Sequence, residues 1–332
     1  MGPDRILRRM TRAARPLVSI VLATYNRSGI LAHAIESVRH SSLDDWELII
    51  VGDCCTDDTA AVVASFGDPR VTFLNLERNV GEQSGPNNEG VRLARGRFLA
   101  FLNHDDLYFP DHLAGAIAYL ERTRSDLVWS PILTVMPGTP DDLAAGRWQM
   151  RLLGVMGDEA FDPRTFVFAS AWVLTRALAD RVGPWRPAHH TFVTSSQDWL
   201  FRAWRGGARM RQLPHPSVLA IPGGPRTGSY TATASPEHEY FATLMRDDPH
   251  FRERALASAA VSAEREARLY RLGRALRSLV VRPLSAVAER LGAHPLAPLL
   301  ALRYGRRGGL VNNIRRRTGL GDVSRQAPPR RR

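Results

Sequence analysis

A chain of 332 residues with 44% hydrophobic and 23% charged side chains has ordinary globular composition, with room for one large domain plus appendages or for two. No run approaches the roughly 18–20 apolar residues that cross a bilayer, which argues against a helical membrane span. The cysteines are the adjacent pair Cys54 and Cys55, which cannot staple distant segments and so point to a reducing, cytoplasmic setting.

Residues 1–15 read as a basic arm. The apolar run 17–23 that follows is too short for a secretory leader, lacks a small-residue cleavage pattern, and predicts a buried strand. It ends in Thr24, Tyr25, Asn26 and Arg27. Apolar positions at Ile30, Leu31, Ala34, Ile35 and Val38 predict an amphipathic helix over 28–40. A second strand, 46–51, runs into Gly52, Asp53, Cys54, Cys55, Thr56, Asp57 and Asp58, with Thr56 as N-cap of a helix to about residue 66. Asp57 and Asp58 then read as first-turn acids that complement the helix dipole, and the cysteines as small buried residues. A third strand covers 71–76, a turn 79–81, and a helix runs from 85 or 86 to 94. The fourth strand, 98–102, breaks into Asn103, His104, Asp105 and Asp106.

Strands alternating with helices at this spacing predict a parallel sheet with right-handed crossovers. Each polar cluster falls at the C-terminal end of a strand, where open α/β sheets bind ligands. The first strand-to-helix turn lacks G-x-G-x-x-G, which sets aside a dinucleotide-binding fold. The carboxylates of Asp105 and Asp106 suit a hard cation, Mg²⁺ or Mn²⁺, shared with a substrate phosphate; the bland alternative is a loop before the next helix.

Further on, the pattern predicts a helix over 111–122, a short strand at 126–130, a mobile Gly/Pro/Asp-rich loop over 136–165, a buried element at 166–174 and a helix at 176–182. The stretch QDWLFRAWRGG is a helix stopped by Gly206 and Gly207, and 212–221 reads as one edge strand. After residue 250 come Arg-rich amphipathic helices broken at Pro283, Pro295 and Pro298, then a disordered basic tail. That region carries nineteen arginines against five acids, so the net charge of +12 lies there and the first 250 residues are nearly neutral. Nucleic acid, an anionic membrane or simple solubility would each suit such a tail; aromatic residues are scarce among its arginines, which disfavours nucleic acid.

Over about residues 16–235 the chain resembles the family 2 glycosyltransferases, inverting nucleotide-sugar transferases of the GT-A fold. VSIVLATYNR is similar to their first strand and nucleotide-binding loop, ELIIVGDCCTDDT to the second strand and acidic base-binding turn, ERNVGEQSGPNNEGVRLARGRFLAFLNHDD to the helix and metal motif, and SSQDWLFRAWRGG to the helix with the catalytic base. The resemblance implies a Rossmann-like, mostly parallel sheet flanked by helices, with a helical basic extension. It implies a donor half over 16–109, an acceptor half over 110–245, an Arg-rich extension over 246–312 and a tail over 313–332.

By the same resemblance, Tyr25 stacks on the base beside the backbone of Ala23 and Thr24, and Asp53 accepts from an imide N–H. Asn26, Arg27, Asn88, Asn103 and His104 complete the donor-binding set, and Asp105 with Asp106 holds Mn²⁺ or Mg²⁺. Asp198 is the base that deprotonates the acceptor hydroxyl; its structural alternatives are a capping box with Ser195 and an i,i+4 pair with Arg202. Trp185 and Trp199 line the acceptor pocket or sit in the core, and Arg226, Ser229 and Tyr230 close over the diphosphate. The sequence departs from the family pattern at Asn103, where aspartate is usual, at Gly52, Cys54 and Cys55, and at Asn87, where arginine is common.

The implied function is transfer of a sugar from a nucleoside diphosphate, a UDP-sugar first, to a glycan or lipid-linked acceptor in cell-surface polysaccharide synthesis. The implied place is the cytoplasm, peripherally at the inner membrane face. A noncatalytic nucleotide-sugar-binding protein and a nucleic-acid-binding protein are the rival readings.

Overall fold

A computed structural model describes residues 15–323 apart from 159 and 222–234. In chain order the elements are β1 Val18–Thr24, α1 Ser28–Arg39, β2 Trp46–Gly52, α2 Thr59–Ser65, β3 Val71–Asn75, α3 Ser84–Leu93, β4 Phe98–Asn103, β5 Asp106–Tyr108 and α4 His112–Thr123. They continue with β6 Leu127–Trp129, β7 Ile132–Val135, α5 Pro140–Ala144, β8 Met150–Leu153, β9 Trp172–Thr175, α6 Arg176–Val182, α7 Ser195–Arg205, β10 Met210–Gln212 and β11 Val218–Ala220. The C-terminal helices are α8 Pro236–Asp247, α9 Phe251–Arg290, α10 Ala297–Tyr304 and α11 Gly309–Arg317.

A seven-stranded sheet runs in the order β10-β6-β9-β4-β1-β2-β3. β1, β2, β3 and β4 are parallel; the apolar runs of β1, β2 and β4 suit strands covered on both faces, and β3 is a partly exposed edge strand. β9 runs antiparallel to β4 and β6, so the sheet is mixed on that side. Register aligns the rim: Ala23 sits opposite Asn103, Thr24 opposite Gly52, and Gly52 opposite Asn75. Three polar clusters, 25–27, 53–58 and 103–105, therefore emerge on one edge. Packing of α3 onto β1 requires a missing side chain at Gly90, where a Cβ would lie 2.3 Å from Val21 Cγ1.

Trp185 and Trp199 resolve as core. They stack with Trp172 at ring separations of 5.5 and 5.8 Å, all three buried. A second sheet, β5-β11-β7-β8, packs its apolar face on Phe241 and Phe251 of α8 and α9. That shared core crosses the boundary expected at residue 245, so the start of the Arg-rich extension belongs to the domain.

Several expected elements differ. Residues 136–165 contain α5, capped by a Thr139–Asp142 box, and β8, which pairs with β7. The edge strand over 212–221 is two strands in two sheets, split around Pro214 and Pro216, since proline has no N–H for a ladder. α9 passes through Pro283 without a break. The tail boundary at 312 falls inside α11, so 313–317 are helical. Arg226, Ser229 and Tyr230 lie outside the described residues.

Candidate active site

The strand ends open into a cavity of about 280 Å³ lined by Ala23, Thr24, Tyr25, Asp53, Asn103, His104 and Asp105. Seven of the residues expected at the site thus share one cleft. Asn26 and Arg27 do not line it; Asn26 bonds the turn after β2, through Cys55 and Thr56, and Arg27 contacts the lining residues His104 and Asp105. Both have left-handed backbone, φ 54° and 62°, a conformation that costs a β-carbon residue on the order of 1 kcal/mol. The double turn sends the buried Arg27 guanidinium to His104, 3.4 Å from Nε2, and to Asp105, 3.8 Å from Oδ2. Arg27 can only donate, so Nε2 accepts and His104 is neutral with its proton on Nδ1. Burial lowers the His104 pKa in the same direction, against the pull of Asp105.

Asp105 and Asp106 are neighbours with separate surroundings. The Asp105 carboxylate, 22% exposed, faces the cleft, and its carbonyl bonds His238 Nε2 at 3.1 Å. Asp106 begins β5 and turns inward. Its Oδ2 accepts from Asn103 Nδ2 at 2.8 Å and from Ser170 Oγ. Burial, then the charge of Asp105, pushes its pKa up to about 8. Asp106 does not line the cleft and its Oδ2 already holds two donors, so its place in the structure is support of Asn103 rather than the metal ligation expected of it. Among the described residues no group of three or more His, Cys, Asp or Glu gathers into a metal cage. Asp105 beside Asn103 still fits Mn²⁺ or Mg²⁺, which commonly take one or two carboxylates plus substrate phosphate oxygens.

Asp53 is buried and its oxygens are engaged: Oδ1 accepts from Val80 N at 2.6 Å and Oδ2 from Gly81 N at 2.7 Å. Burial raises its pKa, against those two bonds and the field of Arg315. It anchors the loop between β3 and α3. Asn88, expected in the donor-binding set, is not among the residues that line the cleft; it clips the backbone of Trp185, through Nδ2 to O at 3.0 Å and N to Oδ1 at 2.8 Å. Asp57 and Asp58 precede α2, which starts at Thr59 rather than after Thr56. They hold Ser28 at the start of α1, through Ser28 N to Asp57 Oδ2 at 3.2 Å and Ser28 Oγ to Asp58 Oδ1 at 2.5 Å.

Asp198 sits in the first turn of α7, which is capped by Thr194 rather than Ser195. Oδ2 accepts from Arg202 Nε at 2.9 Å and Oδ1 lies 3.6 Å from Arg186 NH1. Thr194 and Ser195 line the cleft with Asp105, whereas Asp198 lines a second cavity of about 910 Å³. One helical turn thus faces both spaces. α9 and α10 complete the second cavity with Leu284, Val287, Leu291 and Ala297.

Four contributors escaped the sequence reading. Glu82 ties the loop before α3 to α7, accepting from Ser195 Oγ at 2.8 Å and Ala188 N at 3.1 Å. Ser170, His238 and Arg315 join from far along the chain, and no local motif marks them.

A mixed sheet with helices on its faces and polar strand ends meeting at one rim is an α/β scaffold of the kind that binds ligands at the carboxyl ends of its strands. The sequence model described as glycosyl transferase family 2 matches residues 19–183, and that segment belongs to this family. The chain is 42% identical over 98 residues to succinoglycan biosynthesis protein ExoO of Rhizobium meliloti, covering 30% of this chain and 28% of the relative. It is 34% identical over 113 residues to the Escherichia coli UDP-Glc:alpha-D-GlcNAc-diphosphoundecaprenol beta-1,3-glucosyltransferase WfgD, covering 34% and 44%. The matched stretches thus span less than half the length of these relatives. The fold is that of GT-A glycosyltransferases. S. aureus TarS residues 1–349, solved with UDP-GlcNAc, superposes with a TM-score of 0.54 at 19% identity over 87% of this chain and 92% of that one. The Pyrobaculum calidifontis mannosyltransferase PcManGT, solved with GDP-Man and Mn²⁺, gives 0.50 at 16% identity over 94% and 93%.

Proposed function

We propose that the protein transfers a sugar, with inversion, from a nucleoside diphosphate, a UDP-sugar first among donors, to a glycan or lipid-linked hydroxyl in cell-surface polysaccharide synthesis. The observation that carries this reading is the first turn of α7, with Ser195 on the cleft that holds Asp105 and Asp198 on the larger cavity. Donor and acceptor compartments then meet across one turn of helix.

Tyr25 offers an aromatic face to the base, and Asp105 with Asn103 holds the divalent cation against the diphosphate. That cation, when bound, offsets negative charge on the leaving group. Asp198 accepts the proton of the acceptor hydroxyl as it attacks the anomeric carbon on the face opposite the diphosphate. Arg202 and Arg186, one on each oxygen, fix the direction of its carboxylate. The second cavity suits an amphiphilic acceptor: Leu291 is 80% exposed at its rim, beside Arg205 and Arg307. The same surface supports peripheral attachment to an anionic membrane. No helix among the described residues is long and apolar enough to cross one.

The test is donor hydrolysis with Mn²⁺ by the full chain, Asp105→Ala and Asp198→Ala. Wild-type release above background, lost on removing Asp105, supports the reading. Equal background release from all three overturns it in favour of a noncatalytic nucleotide-sugar-binding protein.

A further inference from the structure

The cleft has a wall that the strand ends do not supply. Val311, Ile314, Arg315, Thr318 and Leu320, from α11 and the turn after it, line the same cavity as Tyr25 and Asp53. We infer that α11 completes the nucleoside subsite, with Ile314 and Val311 as an apolar wall for the bound base and Arg315 as the positioning residue that holds the helix over it. This deepens the donor-site reading and rests on it.

Arg315 NH1 donates to the Gly81 carbonyl and Nε to the Gly321 carbonyl at 2.6 Å. Gly81 is the residue whose N–H binds Asp53. Its φ of +81° favours glycine, and a Cβ there would come 3.4 Å from the Arg315 guanidinium carbon. One glycine therefore links the acid of the β2 turn to a helix 234 residues further on. The placement of α11 is fixed at its other end as well. Gly308 N donates to Thr191 O at 2.8 Å, and Gly309 makes a corner so close to Tyr304 that a Cβ would lie 2.7 Å from the tyrosine Cβ. After the helix, Asn312 Oδ1 accepts from Val323 N at 2.8 Å, folding the chain back. A helix pinned at both ends presents Ile314, 46% exposed, to the cleft. Apolar area left open beside an aromatic residue and a hydrogen-bonding rim is what a planar, amphiphilic base covers.

The experiment titrates the full chain with UDP, GDP and dTDP, each with Mn²⁺, by calorimetry. The tightest of the three is then measured against Ile314→Ser, Arg315→Ala, Tyr25→Ala and, as a control on the exposed side of the same helix, Arg317→Ala. Ile314→Ser and Arg315→Ala each weaken binding about tenfold, near 1.4 kcal/mol, and Arg317→Ala leaves it unchanged. Wild-type affinity in both α11 variants alongside weakened Tyr25→Ala overturns the role of α11 and leaves the donor site standing. No binding of any of the three by the wild type overturns the donor-site reading itself, and this inference with it. Should a variant melt early without ligand, amide exchange of the wild-type chain decides. Protection of 309–320 on saturation supports the wall, and unchanged exchange there with protection at 23–25 overturns it.

Discussion

Asp53→Ala separates two jobs that one carboxylate could hold, contact with the base and support of the loop that faces it. The side chain is 4% exposed and accepts two backbone N–H bonds, at 2.6 and 2.7 Å. Charge-assisted bonds of this kind contribute about 1.5–3 kcal/mol each, and alanine leaves both donors without their acceptor. Part of that loss is returned, because the burial that raises the Asp53 pKa is a cost of the charge that alanine removes. The net expectation is a destabilisation of about 2–4 kcal/mol, concentrated in the loop. Urea unfolding gives the global figure, and amide exchange over residues 78–84 shows where it falls. Because Asp53 acts through the loop, UDP, GDP and ADP should all lose affinity by a similar factor. Stability within about 0.5 kcal/mol of wild type, or a loss confined to UDP, would refute the anchoring role and restore direct contact with the base.

Gly90→Ala forces a methyl to within 2.3 Å of Val21 Cγ1; overpacking should cost about 1–3 kcal/mol, and the double variant with Val21→Ala should recover much of it in thermal melts. Asp106→Asn should keep Mn²⁺-dependent activity and near-native stability at pH 7, since the carboxyl with a pKa of about 8 is already neutral; a loss equal to that of Asp105→Asn contradicts the support role. His112 and His294, with pKa values pushed down by burial to about 3 and about 4 from 6.5, should make the fold acid-sensitive. Asp111 opposes the shift at His112, while Arg252 and His215 reinforce it. The unfolded chain takes up these protons below pH 6.5 and the folded chain does not, so stability is complete above that pH and declines as pH falls. At pH 5 each site has lost about 2 kcal/mol. Asp106, with its raised pKa, gains stability over the same range, so the check compares wild type with His112→Asn and His294→Asn in urea, and a stability difference that does not change between pH 7.5 and 5 would contradict this.

The four parallel strands and their polar ends were legible because they are written in local pattern: unbroken apolar runs, then polar turns. What stayed hidden depends on contacts between distant segments. Asp105 and Asp106 look equivalent as letters, yet a strand starts at Asp106, and its carboxyl meets Ser170 while its neighbour stays in the cleft. Asn88 sits in a motif-rich stretch, but its partner is the backbone of Trp185. β8 in the Gly/Pro/Asp-rich stretch is specified mainly by pairing with β7 and packing on α9, and propensity says little of either. The arginine-rich C-terminus read as an appendage because charge density does not reveal that one guanidinium reaches the Gly81 carbonyl.

Asn103, the departure that most weakened the expected metal motif, has a structural reason in the same network. Its Nδ2 donates to Asp106 Oδ2 at 2.8 Å, and Ser170 donates to that oxygen too, leaving Oδ1 to carry the proton. An aspartate at 103, restoring the usual family residue, has no N–H to give. It can stay bonded only by accepting the Asp106 proton, as carboxyl pairs do when they share one. Asn103→Asp should therefore depend on one proton held between the two groups. Unfolded carboxyls release that proton at about pH 4, so stability falls progressively as pH rises above that. The loss is complete once the folded pair gives the proton up, at or above the wild-type Asp106 value of about 8, where both are charged at close range. The added carboxylate also faces the cleft beside Asp105, so Mn²⁺ should bind more tightly, and metal should offset part of the high-pH loss. Urea unfolding at pH 6 and pH 9, with and without Mn²⁺, tests both halves. A variant as stable as wild type at pH 9 without metal would show that the amide of Asn103 does not hold Asp106, and the separation of the two aspartates would need another cause.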